Sequence, residues 1–149
     1  MKDIKSVSRK IEKKLRESSW FEDDWEIYNR GAYMQLYKID WYNQNQGGVH
    51  FETYIETSQI KQKAFPICMH AEDDCPFQAE FIQKFLEIEG EQIKKWKGYK
   101  TTGKGYSICQ KIIPLNFKNL EQRLFEEFNQ LRQLEPSIKS ALEAVSNGR

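Results

Sequence analysis

The stretch "GGVHFETYIETSQIKQKAFPICMHAEDD", residues 47–74, decides the fold. In its first half Val49, Phe51 and Ile55 share one side with Thr53, and His50, Glu52, Tyr54 and Glu56 share the other. In its second half Phe65, Ile67, Met69 and Ala71 alternate with Pro66, Cys68, His70 and Glu72. A period of two predicts strands, and one apolar side with one polar side predicts an antiparallel sheet covered on a single face. If the connection is centred near Ile60, His50 stands opposite His70 and Glu52 opposite Cys68, with cross-strand neighbours about 5 Å apart.

That register matters because the chain has only two histidines, and both lie in the pattern His-x-Glu. Imidazoles and carboxylates converging on one face suit a borderline metal such as zinc, so His50, Glu52, His70 and Glu72 are the candidate ligands. The plainer expectation is a polar side turned to water or to a second layer. A slip of one residue would send the two histidines to opposite faces. Known zinc signatures pair two short ligand spacings across a loop, and Cys68-x-His70 with Cys75 supplies only one. Cys75, ahead of Pro76, is a poor nucleophile because Glu72, Asp73 and Asp74 disfavour its thiolate. No cofactor is expected in the leading reading, and a divalent metal in the alternative.

Working outward, 149 residues with 39 % hydrophobic and 13 % aromatic content describe one packed α+β domain spanning 1–149. A net charge of +1 gives no global pull toward nucleic acid. An odd number of cysteines, Cys68, Cys75 and Cys109, does not read as a secreted disulfide framework. The charged start lacks the apolar core of a signal peptide, and no apolar run reaches membrane-spanning length. The expectation is a cytoplasmic protein with no membrane association.

Ile4, Val7, Ile11 and Leu15 predict an amphipathic helix over 3–18. Strands and turns are expected from Phe21 to Glu56. A helix with the stripe Phe77, Phe81, Phe85 and Ile88 should begin near Pro76 and stop at Gly90. A hairpin with its loop at Thr101–Gly105 follows. Leu120, Leu124, Phe128, Leu131 and Leu134 mark another helix, with Asn119 and Gln122 at capping-box spacing, and Pro136 opens the last one. The sheet is expected to pack on the Phe77–Ile88 helix, in the order α-β-β-β-β-α-β-β-α-α.

Further candidate features lie outside the histidine strands. Lys94, Lys95, Lys97, Lys100 and Lys104 interleave with Trp96, Tyr99 and Tyr106; cations for phosphates and rings for bases make residues 94–104 a candidate nucleic-acid contact. The plainer reading is a hairpin whose lysines protect an exposed edge. Asp40, Glu52 and Glu56 are candidate catalytic carboxylates, since metal-dependent chemistry needs acids that converge. The element order resembles the restriction-nuclease-like core, but that family's Glu/Asp-x-Lys tripeptide is absent from these strands. It also resembles the small α+β chaperones of secretion systems, which implies a protein partner and a homodimer. Trp20, Phe21, Trp25, Trp41, Tyr42 and Trp96 are either partner anchors or core. The leading expectation is therefore a non-catalytic binding or regulatory module acting through protein–protein contacts. The alternative is a nucleic-acid-binding protein or divergent metal-dependent nuclease.

Overall fold

Six strands form one antiparallel sheet in the order β1-β2-β3-β4-β6-β5. They are β1 (Trp25–Asn29), β2 (Tyr33–Lys38), β3 (Val49–Tyr54), β4 (Ala64–Ala71), β5 (Lys100–Thr101) and β6 (Ser107–Pro114). The helices are α1 (Ile4–Arg16), α2 (Thr57–Gln62), α3 (Gln78–Lys95), α4 (Leu120–Leu131) and α5 (Glu135–Asn147). The computed structural model describes residues 3–102 and 105–147. The α+β class and the order of major elements are those expected from the sequence, with α2 as a short addition inside the β3–β4 connection.

The β3–β4 register is the one that a connection centred on Ile60 requires: His50 pairs with His70, Phe51 with Met69, and Glu52 with Cys68. The apolar members of both strands face the helices. Phe51, Phe65, Ile67 and Met69 are fully buried in a core shared with Val7, Ile11 and Leu15 of α1, Phe81 and Phe85 of α3, and Leu124 and Phe128 of α4. α1 begins where the Asp3 carboxylate accepts the Ser6 amide at 2.7 Å.

Four local expectations are corrected. Gly90 does not end α3, which runs on to Lys95. The buried stripe continues through Ile93, and Glu89 accepts a 2.6 Å hydrogen bond from Ser137 of α5. This packing outweighs the roughly 1 kcal/mol that a helical glycine costs. At the other end Phe77 is the cap, in the left-handed region at φ 53°, so Pro76 precedes the helix; Phe77 and Ile88 are exposed rather than part of the buried stripe. Asn119 makes no side-chain cap bond at α4, whereas a capping box forms at α2 between Glu56 and Gln59. The helix packed over β3 and β4 is α4, while α3 lies beside β5, β6 and α5.

Candidate metal centre

The strand face opposite the helices carries Gln35 on β2, His50 and Glu52 on β3, and Cys68 and His70 on β4. Of the two expectations for this side, water or a second layer, the structure shows the second: all five are buried. The cover is the β2–β3 loop. Val49 N–H bonds the Trp41 carbonyl at 3.0 Å, and Gly48 N–H bonds Asn43 Oδ1 at 2.8 Å. A Cβ on Gly48 would lie 2.1 Å from the Tyr42 carbonyl oxygen, so only glycine lets the loop approach this closely. On the far side the ring of Tyr106 stands edge-on to His70 at 4.9 Å.

Under this cover four side chains converge. His50 Nε2 is 3.5 Å from Glu52 Oε2 and 3.2 Å from Glu72 Oε2. His70 Nδ1 is 3.1 Å from Glu52 Oε2 and 3.6 Å from Glu72 Oε2. All four ligand atoms lie within 4.8 Å of one another. Zinc bonded at 2.0–2.1 Å to four tetrahedral ligands needs neighbouring ligand atoms about 3.3–3.4 Å apart, and the four observed separations bracket that value.

The surroundings also set which atoms point inward. Asn43 Oδ1 accepts from Gly48 N–H, so that atom is an oxygen, and His50 Nδ1 at 2.8 Å must donate to it. The lone pair of neutral His50 is therefore on Nε2, the nitrogen inside the cluster. Burial, and then the charge of Glu52, push the Cys68 thiol well above its ordinary pKa, so its sulfur keeps its proton and can donate to the Glu52 carbonyl at 3.5 Å. The same sulfur sits 3.1 Å from His70 Nε2, which fits an Nε2–H donor and leaves the lone pair on Nδ1. His70 Nδ1 is buried and makes no hydrogen bond, despite its closeness to Glu52. Glu52 is held by Gln35 Nε2 at 3.1 Å on one oxygen and by the Tyr54 hydroxyl at 2.8 Å on the other. Gln35 in turn accepts from Asn43 Nδ2 at 2.9 Å. Outer partners of this kind are what orient metal ligands.

Without an ion the cluster is held by charge. Burial alone would raise the Glu52 pKa, but the nearby imidazoles of His50 and His70, with the Gln35 amide, hold the carboxyl well below the usual range. Burial opposes a proton on His50, and Glu52 and Glu72 more than offset it, so its pKa is raised. Metal binding would displace that proton.

The other candidate residues lie apart from this centre. Asp40 is exposed in the turn after β2, and Glu56 is exposed at the start of α2. Of the three candidate catalytic carboxylates, only Glu52 belongs to the cluster. Lys94 and Lys95 end α3, Lys97 follows, and Lys100 begins β5. Lys104 lies outside the described residues. The interleaved rings are committed largely inward: Tyr99 is buried with its hydroxyl on Glu127 at 2.9 Å, and Trp96 packs on Tyr99. Trp25 and Trp41 are core, Trp20, Phe21 and Trp96 lean on it, and Tyr42 is exposed. Sequence reasoning missed Asn43, Gln35 and Tyr54. Only the alternation of Tyr54 with Glu52 hinted at one of them.

No family model, curated protein or solved structure matches the chain. No helix among the described residues is long and apolar enough to cross a membrane.

Proposed function

We propose that the protein is a metal-binding module whose centre holds one divalent transition ion, zinc being the best fit to a two-nitrogen, two-oxygen set. The observation that carries this reading is the convergence of four ligand atoms with four N···O separations of 3.1–3.6 Å. The supporting shell favours the same conclusion, since Asn43 turns the lone pair of neutral His50 into the cluster and an Nε2–H bond from His70 to the Cys68 sulfur would do the same for His70. A buried histidine nitrogen without a hydrogen bond has a desolvation cost that coordination would offset.

The test is direct. Chelator-stripped protein is titrated with Zn²⁺ against a chromophoric chelator, and bound metal is counted by elemental analysis. One ion per chain with a submicromolar dissociation constant is expected. His70→Ala should weaken binding at least a hundredfold. Failure of the wild-type protein to retain Zn²⁺, Co²⁺ or Mn²⁺ stoichiometrically at micromolar concentration would sink the proposal.

A further inference from the structure

The four ligands are not equivalent. The side chains of His50, Glu52 and His70 are 0 %, 6 % and 8 % exposed, and each is fixed by a neighbour outside the cluster. Glu72 is 31 % exposed. It lies just beyond the end of β4, where its amide bonds the Gly48 carbonyl at 3.1 Å. Its carboxylate faces the two histidines and, among the described residues, carries no hydrogen bond from a supporting residue comparable to those on Glu52. Two buried polar atoms without hydrogen bonds, His70 Nδ1 and Ser107 Oγ, belong to one register pair beside this strand end. Tyr106, 49 % exposed, flanks the same opening.

From this asymmetry, and resting on the metal reading above, we infer that His50, Glu52 and His70 are the fixed ligands and that Glu72 guards an exchangeable position. The site is then of the open kind, with three protein ligands and a place for water or a small anionic donor, rather than a closed structural knot. A closed site buries and braces all its ligands alike. Here the bracing stops at three, and the fourth carboxylate sits where solvent reaches it. Displacement of Glu72 by an incoming anion breaks one metal–oxygen bond and makes one metal–ligand bond, with the free carboxylate passing into water. The ligand class is a compact oxygen or nitrogen donor able to enter past Tyr106, and a bound water there would be activated as a nucleophile.

Cobalt supplies the readout. The Co²⁺-loaded wild-type protein is titrated with sodium azide while its visible d–d and charge-transfer bands are recorded. A saturable spectral change with the metal still bound is expected. Glu72→Gln should lower cobalt affinity about tenfold or less, against a hundredfold or more for Glu52→Gln, and should tighten azide binding severalfold by removing the competing carboxylate. Circular dichroism on both variants checks that they fold, and the azide titration needs no variant at all. Cobalt bands indifferent to azide up to high millimolar concentration would overturn the exchangeable position while leaving the metal site standing. Absence of cobalt or zinc binding would overturn both.

Discussion

Asn43→Ala is the most informative perturbation of the fold around the cluster. The side chain is 1 % exposed and makes three hydrogen bonds: it accepts from Gly48 N–H and His50 Nδ1–H, each at 2.8 Å, and donates to Gln35 at 2.9 Å. Alanine would leave three polar groups without partners in a buried place, and each costs about 1–3 kcal/mol. Water entering the vacated space would recover part of this, so a net loss of about 3–5 kcal/mol is expected. That is a large share of the stability of an ordinary domain. Asn43→Asp keeps both acceptor bonds but sets a carboxylate oxygen against Gln35 Oε1 and buries a charge, so it should destabilise as well. The assay is equilibrium urea unfolding of chelator-treated protein at neutral pH, followed by far-ultraviolet circular dichroism. A loss below about 1 kcal/mol for alanine would refute the claim that Asn43 ties the loop to His50.

Other expectations concern glycine, buried charge and alkali. Gly48→Ala should destabilise by about 3 kcal/mol or more in the same assay, because its Cβ would strike backbone oxygens of Tyr42 at 2.1 Å and Trp41 at 2.6 Å. Gly90→Ala should instead stabilise by about 0.5–1 kcal/mol, since its Cβ would meet nothing closer than Leu86 at 3.7 Å; a loss there would refute the packing of α3. Glu127 anchors Lys111 at 2.7 Å, Tyr99 at 2.9 Å and Arg123 at 2.6 Å. Glu127→Ala should therefore cost about 3–5 kcal/mol by stranding a buried ammonium, and adding Lys111→Met should restore at least half of it. Burial pushes the thiols of Cys75 and Cys109 from the ordinary 9.0 up to about 12. The folded state keeps these protons longer than the unfolded chain does, so stability is intact below pH 9.0 and erodes as pH rises toward 12. At pH 10 the two thiols together should cost about 3 kcal/mol; a urea midpoint unchanged between pH 8 and pH 10 would count against their burial.

The hairpin register was legible in the sequence because two alternating runs flank a connection that is symmetrical about Ile60. Pairing at His50–His70 then followed from arithmetic. The burial of the polar side was not legible. It depends on the β2–β3 loop folding over that face, and "WYNQNQGG" carries turn residues without saying where the turn lands. Asn43 acts on a histidine seven positions away through a tertiary approach that no local pattern encodes. The end of α3 is not legible for a related reason: Gly90 is a stop signal only when nothing beyond it needs a helix, and Ile93 does. The ring residues near the lysines looked available because their partners, Glu127 above all, come from a distant helix.

Placement of three of the four proposed ligands on β3 and β4 also bears on which ions the centre would admit. These are the two middle strands of the sheet, each hydrogen-bonded on both sides. Calcium forms bonds of about 2.3–2.6 Å to six or more oxygens, whereas this cluster offers two carboxylates beside two imidazoles. If the centre holds a metal as proposed, the sheet would act as a gauge, its strand spacing together with the two nitrogen donors disfavouring the larger ion.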